Sequence, residues 1–221
     1  MNKVQQLAEI GQSIWYDNIE RGMLENGEMA GMIARGEIRG VTSNPSIFMN
    51  AVTKTTDYDA GLRSSADSGQ GPEEVFWELA IEDIRNAADL FRPLYEVTKG
   101  GDGFVSLEVG PAQANDTEAT IAEARRLWAW VDRPNVMIKI PATQAGIPAI
   151  TAATAEGINV NITLIFARER YAAVMDAFLR GLEQRVAEGK PIDHIASVAS
   201  FFVSRVDSNV DKQLEAIING G

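Results

Sequence analysis

Hydrophobic and polar positions along the chain follow two different periods. Short apolar runs predict strands at residues 13–18, 40–47, 103–110, 135–142, 158–166 and 195–203. Elsewhere apolar residues recur at spacings of three and four, which is typical of helices with one buried face. These helices are predicted at residues 72–90, 117–131, 167–187 and 208–221. Alternation of strands with helices indicates an α/β protein with a parallel sheet.

Composition narrows the choice of fold and partner. The chain has 221 residues, of which 45% are hydrophobic, enough for one sizeable core and within the range of a single α/β barrel. A net charge of -11, without any basic run, argues against nucleic acid as a partner. An anionic substrate would need a local positive site.

The chain offers little for membrane or metal binding. It has no apolar stretch of about 18 residues and no apolar run at its N-terminus, so we expect neither a membrane span nor a signal peptide. The absence of cysteine fits a reducing cytoplasm. With no cysteine and one histidine, we expect His194 to be structural and no metal site to exist.

A single lysine interrupts an apolar strand. Lys139 lies between Ile138 and Ile140 in the predicted strand 135–142. Burying an ammonium group without a partner costs several kcal/mol, or favours the neutral amine. A neutral lysine can form a Schiff base with a carbonyl substrate. The alternative from this segment alone is an edge strand whose lysine extends along its stem to water.

Polar residues alternate with apolar ones on three of the predicted strands. In residues 158–164, the apolar positions would face the helices, while Asn159, Asn161 and Thr163 would face the interior. The same parity directs Glu108 and Lys139 inward. A structural alternative also fits: Glu108 and Lys139 could form a buried ion pair, and Thr163 could be a core residue whose hydroxyl has a hydrogen-bond partner. A buried ion pair contributes little to stability, so the pattern favours a functional site.

Three further candidates come from other strand ends. Asp17 lies among bulky apolar residues, and Asn44 closes the second strand just before a proline, a common turn element. Arg205 follows the sixth strand and would suit a phosphate group. In a parallel α/β barrel, functional side chains enter from the carboxyl ends of the strands. We therefore expect these residues to belong with the interior polar set.

Four segments together resemble the transaldolase family. They are VTSNPS at 41–46, VMIKIPAT at 136–143, GINVNITL at 157–164 and FFVSRVD at 201–207. The resemblance extends from about Trp15 to Asp207. It implies a (β/α)8 barrel of the class I aldolase type, without a metal or organic cofactor. The expected reaction moves a dihydroxyacetone unit from a ketose phosphate to an aldose phosphate, in the non-oxidative pentose phosphate pathway.

The resemblance also implies roles for the matched residues. Lys139 would form the Schiff base, and Asp17 would act as acid and base at the C4 hydroxyl of the sugar. Glu108 and Thr163 would hold a catalytic water. The residues expected to bind substrate are Asn44 and Asn161 at the dihydroxyacetone hydroxyls, Ser200 and Phe202 in the pocket wall, and Arg205 at the phosphate.

The chain departs from the family pattern at its C-terminal end. Only six strands are visible, whereas the position of Lys139 matches the long bacterial type, which has eight. We therefore expect residues 1–221 to form a single barrel domain that lacks strands seven and eight. The second arginine that the family pattern places after strand seven, to bind the substrate phosphate, would then be absent as well. Some long relatives are fused to a glucose-6-phosphate isomerase domain, and such an origin is open for this chain.

Three functional hypotheses follow. The first is transaldolase acting on sugar phosphates. The second is an inactive truncated barrel that only binds sugar phosphate or self-associates. The third is a Schiff-base aldolase that releases dihydroxyacetone rather than transferring it. We expect the 221-residue chain itself to be at least about a thousandfold less active than an intact barrel, since positioning groups would be lost.

Overall fold

The computed structural model describes residues 2–69 and 71–220, without the side chains of residues 65–68. Its strands are β1 (Trp15–Tyr16), β2 (Gly40–Thr42), β3 (Val105–Glu108), β4 (Val136–Pro141), β5 (Val160–Ile165) and β6 (Ser197–Phe201). Its helices are α1 (Lys3–Glu9), α2 (Arg21–Glu25), α3 (Glu28–Ala34), α4 (Pro45–Lys54), α5 (Asp59–Ser68), α6 (Pro72–Val97), α7 (Thr117–Val131), α8 (Gly146–Glu156), α9 (Arg168–Ala187) and α10 (Val203–Asn219).

The predicted α/β class is confirmed. All six predicted strands are present, each shorter than its apolar run, and they lie in the order β1-β2-β3-β4-β5-β6. The three strand pairs with a defined register are parallel. Helices separate consecutive strands along the chain. Neighbouring parallel strands joined through helices are the topology of (β/α) barrels.

Helix boundaries follow local chemistry. Helix α6 begins with Pro72 at its first position and has Glu73 and Glu74 in its first turn, where a missing N–H costs nothing and acidic charge is favourable. It continues past the predicted end at residue 90, through Pro93, to Val97. Helix α10 begins at Val203, five residues before the predicted start at 208.

The chain divides into two compact units. The first comprises residues up to Pro111 together with Ala122–Ile138, and it holds β1, β2, β3 and the first half of β4. Here Trp15 pairs with Gly40 and Val41 with Val105. A Cβ on Gly40 would lie 2.6 Å from the Trp15 ring, so this register requires glycine. Helix α6 packs on β3.

The second unit comprises Ala112–Ile121 and the residues from Lys139 onward. The Ala142 N–H donates to the Thr163 carbonyl over 2.8 Å, which joins the end of β4 to β5. Strand β5 pairs with β6 through Asn161 and Val198, and helices α8 and α9 pack together beside β5.

The predicted alternation in β5 fails at Leu164. We expected this side chain to be buried against helices, but it is 39% exposed and its φ is +62°. The β5–β6 register shifts between Ile162 and Ile165, which is a bulge, and Ile165 takes the buried position instead. All residues from Val160 to Thr163 are buried, so the burial expected of the candidates Asn161 and Thr163 is retained.

A half-buried polar cluster ties the beginnings of β1 and β2 together. Asp102 accepts hydrogen bonds from Ser13 Oγ and from Arg39 Nε, both over 2.5 Å. The indole N–H of Trp15 donates to the same Ser13 oxygen over 3.1 Å. The carboxylate thus satisfies two donors from two segments of the first unit.

We expect Asp102→Asn to lower the free energy of unfolding by about 1–3 kcal/mol, because a charge-assisted pair is replaced by a mismatched amide. Urea denaturation measures this loss. The control is Asp176→Asn, whose carboxylate is 61% exposed in a surface pair with Arg180 and should change stability by less than about 1 kcal/mol. Equal losses of stability in the two variants would contradict the stabilising role assigned to the Asp102 carboxylate.

Among the described residues, none of the helices combines the length and the apolar character needed to cross a membrane.

Candidate active site

Two of the predicted site residues line one cavity in the first unit. Asn44 follows β2 and Glu108 ends β3, and both border a small cavity of about 10 Å³. The Ser43 hydroxyl donates to the Ser106 carbonyl over 2.7 Å, which ties these two strand ends together. The structure thus brings these two candidates from neighbouring strand ends to one cavity.

Asn44 also begins a helix. Its side-chain oxygen accepts the Ile47 N–H over 3.0 Å, and Pro45 occupies the first helical position of α4. This is the N-cap arrangement that Asn favours. Because the cap uses Oδ1, a ligand at Asn44 would be bound through the Nδ2 hydrogens.

The cavity wall also includes three aromatic residues that were not predicted from the sequence. Phe48 of α4 and Phe76 and Trp77 of α6 line it. Phe76 meets Phe48 edge-on at 6.3 Å and Trp77 at 5.4 Å between ring centroids. An aromatic pair on an amphipathic helix is typical of any core, so only the register of α6 against β3 could have identified it.

Asp17 lies in the loop between β1 and α2. Its side chain is exposed, although the sequence places it among bulky apolar neighbours. Two residues later Ile19 is fully buried, which anchors the loop to the first unit. The loop thus holds an acidic group at the carboxyl end of β1, where the prediction put it.

Lys139 is a buried residue of a buried strand. All six residues of β4 are buried; Lys139 is 5% exposed, while Ile138 and Ile140 are fully covered. A lysine that extended along its stem to water from an edge strand would be far more exposed. The snorkelling alternative therefore does not describe this side chain.

Thr163 on the neighbouring strand β5 has an unusual hydroxyl. The residue is 1% exposed, and its Oγ1 has no hydrogen-bond partner among the described residues. Leaving such a group unsatisfied costs about 1–3 kcal/mol. An orphan hydroxyl of this kind is expected where a ligand or a bound water completes the site.

Asn161 of β5 and Asn159, which precedes this strand, have different partners. Asn161 accepts a hydrogen bond from Ser200 Oγ of β6 over 2.8 Å, so these two predicted substrate residues are adjacent. Asn159 instead accepts the Ala196 N–H over 2.9 Å, which fixes the start of β6. Asn161 is 2% exposed. The prediction that both face the interior is consistent with their burial, and Asn161 contacts another candidate.

Phe202 and Arg205 form a second pair of candidates. The Arg205 guanidinium lies 4.2 Å above the Phe202 ring, and Phe202 also stacks on Phe166 at 5.4 Å. Arg205 is exposed in the first turn of α10. A cation at the positive end of a helix is unfavourable on its own, but the two together attract an anion.

His194 takes no part in these groups. Its ring lies on the surface, with Nδ1 3.2 Å from the carboxylate of Asp193.

Six neighbouring strands that alternate with helices along the chain define a protein of the α/β class. A family model described as Transaldolase/Fructose-6-phosphate aldolase matches residues 14–220. The chain belongs to the transaldolase and fructose-6-phosphate aldolase family, as the four sequence segments predicted.

Curated relatives agree with the family assignment. The chain is 57% identical to a transaldolase of Thermobifida fusca over 214 residues, covering 97% of this chain and 58% of the relative. It is 52% identical to a transaldolase of Saccharopolyspora erythraea, covering 99% of this chain and 59% of the relative. A transaldolase of Trichodesmium erythraeum is 49% identical over 95% of this chain and 55% of its own length. The chain thus spans less than three fifths of these relatives.

Proposed function

We propose that these residues carry the transaldolase reaction. A dihydroxyacetone unit would pass from fructose 6-phosphate or sedoheptulose 7-phosphate to erythrose 4-phosphate or glyceraldehyde 3-phosphate, as in the non-oxidative pentose phosphate pathway. The observation that carries the proposal is the buried lysine in the middle of β4. Membership of the family and relatives named transaldolase support it.

The first step would be formation of a Schiff base. The Lys139 amine attacks the C2 carbonyl of the ketose phosphate to give a carbinolamine, which loses water and becomes an iminium. The attack requires the neutral amine, and closing the site to water would protect the iminium that forms. Glu108 and Thr163 would hold the water and move its protons. The partnerless Thr163 hydroxyl supports this role, since it could donate to or accept from a water.

The second step would break the bond between C3 and C4. The Asp17 carboxylate takes the proton of the C4 hydroxyl, the aldose phosphate leaves as an aldehyde, and the bonding electrons enter the iminium to form an enamine. The enamine carbon then attacks the acceptor aldehyde, and Asp17 returns a proton to the new hydroxyl. Addition of water to the resulting iminium, followed by loss of the ketose, restores Lys139.

The remaining candidates would bind and orient the sugar. Asn44 and Asn161 would hold the hydroxyls of the dihydroxyacetone part, with Ser200 orienting Asn161 through the 2.8 Å hydrogen bond. Arg205 and the N-terminus of α10 would attract the phosphate, and Phe202 would support the guanidinium through ring contact.

The direct test is a transfer assay. Because the chain spans 58% of the Thermobifida fusca relative, the assay uses the chain itself and a chimera. In the chimera, residues 1–221 replace the matching part of that relative. With fructose 6-phosphate and erythrose 4-phosphate, we expect the chimera to form sedoheptulose 7-phosphate. Absence of product would contradict the proposal. Release of dihydroxyacetone without an acceptor would instead favour the aldolase alternative.

Thr163→Val should separate activity from stability. We expect turnover of the chimera to fall about tenfold or more, because the catalytic water loses a positioning group. The free energy of unfolding should stay equal or rise, since the hydroxyl that is removed makes no hydrogen bond in the described structure. Enzyme kinetics and urea denaturation measure the two effects.

The matched control is Thr151→Val on α8. Its hydroxyl donates to the Ala177 carbonyl over 3.0 Å, so this variant should lose about 1 kcal/mol of stability and keep its turnover. A Thr163→Val variant that behaved like the control would contradict the role assigned to Thr163.

A further inference from the structure

Helix α2 begins with a cap supplied from a distant segment. Its own N-cap residue, Glu20, makes no side-chain capping bond. Instead the Arg21 N–H donates to the Tyr58 hydroxyl and the Gly22 N–H donates to Asp57 Oδ2, each over 3.1 Å. These partners lie 37 and 35 positions further along the chain. The first N–H groups of a helix need such acceptors, which usually come from the adjacent residues.

Tyr58 is itself held in place by a buried carboxylate on α6. The Tyr58 hydroxyl donates to Asp83 Oδ2 over 2.7 Å, and Arg21 Nε donates to Asp83 Oδ1 over 2.9 Å. The Arg21 guanidinium also lies 4.9 Å above the Tyr58 ring and donates to Glu82 over 2.6 Å. Tyr58 and Asp83 are both fully buried. One acceptor thus fixes both the tyrosine and the first residue of α2.

The electrostatics keep the Tyr58 hydroxyl protonated. Burial raises the pKa of Tyr58, and the neighbouring Asp83 carboxylate raises it further, so the phenol remains a donor. Burial also raises the pKa of Asp83, and the hydrogen bonds from Tyr58 and Arg21 offset that effect only in part.

The helix start that these residues cap is also the end of the loop that carries Asp17. The loop leaves β1 after Tyr16 and enters α2 at Arg21. The loop comprises only residues 17–20, so a shift at Arg21 would move Asp17 as well. Helix α6 provides Asp83 for this cap, and it provides Phe76 and Trp77 for the cavity at Asn44 and Glu108.

We propose that Tyr58, held by Asp83, is a positioning residue for Asp17. Its hydroxyl would fix the start of α2 so that the Asp17 carboxylate meets the C4 hydroxyl of the sugar. The inference rests on the proposed function, in which Asp17 moves that proton. Carbon–carbon cleavage would then depend on Tyr58, whereas Schiff-base formation at Lys139 would not.

The experiment compares variants of the cap with matched controls, each made in the full chain and in the chimera. Tyr58→Phe removes the hydroxyl and keeps the buried ring, while Asp57→Ala removes the second acceptor from an exposed position. Tyr95→Phe is the control for the same chemical change, since the Tyr95 ring packs on Phe104. Asp102→Asn is the control for a general loss of stability in the same unit.

Three quantities are measured. Amide hydrogen exchange at Arg21 and Gly22 in the full chain should become about tenfold faster or more in Tyr58→Phe and Asp57→Ala, and in neither control. In the chimera, kcat should fall about ten- to a hundredfold in Tyr58→Phe with little change in KM. When free dihydroxyacetone is supplied, the amount that borohydride traps on Lys139 should equal that of the unmodified chimera.

The contrary outcomes are distinct. Unchanged exchange at Arg21 and Gly22 would show that the cap is not formed, and unchanged kcat would show that it does not position Asp17. A fall in kcat matched by Asp102→Asn, or an equal fall in trapped adduct, would reduce Tyr58 to a stabilising residue. An unmodified chimera without adduct on Lys139 would overturn the proposed function and the positioning role with it.

Discussion

Replacing Lys139 by methionine should lower transfer by the chimera at least about a thousandfold, because without the amine no Schiff base can form. Methionine has a similar length and no charge. Lys139 is 5% exposed and lies between fully buried isoleucines, so stability is measured in parallel to show that the variant stays folded. The measurements are the rate of sedoheptulose 7-phosphate formation and the midpoint of urea unfolding.

The matched control is Lys190→Met. Lys190 is half-exposed and pairs with Glu188 over 2.6 Å, so its replacement should change neither rate nor stability appreciably. A Lys139→Met variant that still transferred at a tenth of the normal rate would contradict covalent catalysis by this lysine. If the variant lost activity only because it unfolded, Lys139 would have a structural role in β4 and not a catalytic one.

Asp17→Asn should separate the two halves of the reaction. Cleavage of fructose 6-phosphate should fall about a hundred- to ten-thousandfold, which is the usual contribution of a general acid or base. Trapping of free dihydroxyacetone on Lys139 should persist, since a Schiff base with the free ketone needs no C4 proton transfer. Because Asp17 is exposed, the substitution should hardly change the free energy of unfolding.

Asp176→Asn, an exposed acidic residue of α9, is the control for the charge change. If Asp17→Asn abolished the trapped adduct together with cleavage, Asp17 would act in binding or Schiff-base formation. Equal activity of the two variants would remove Asp17 from the mechanism.

Much of the fold follows from periodicity. The six apolar runs each contain a strand, and the helix predicted at residues 117–131 has those same bounds as α7. Burial of Lys139, Asn161 and Thr163 agrees with the inward positions that the sequence pattern gives them, since successive side chains of a strand lie on opposite faces. These features depend on local sequence and on one buried face, so the pattern predicts them.

Other features depend on contacts between distant segments. The bulge at Leu164 arises from the pairing of β5 with β6, which no pattern within β5 reveals. The cap that Asp57 and Tyr58 provide for α2 joins residues more than 30 positions apart, and neither residue stands out in its own segment. The aromatic wall around Asn44 and Glu108 likewise depends on how α6 packs.

The central claim is that Lys139 forms the covalent bond to substrate, and one measurement tests it most directly. The chain and the chimera are incubated with fructose 6-phosphate, reduced with borohydride and digested for peptide mass spectrometry. The account predicts a reduced dihydroxyacetone adduct on the peptide that contains Lys139 and on none of the other lysine peptides. An adduct on another lysine, or no adduct in a chimera that still catalyses transfer, would contradict it.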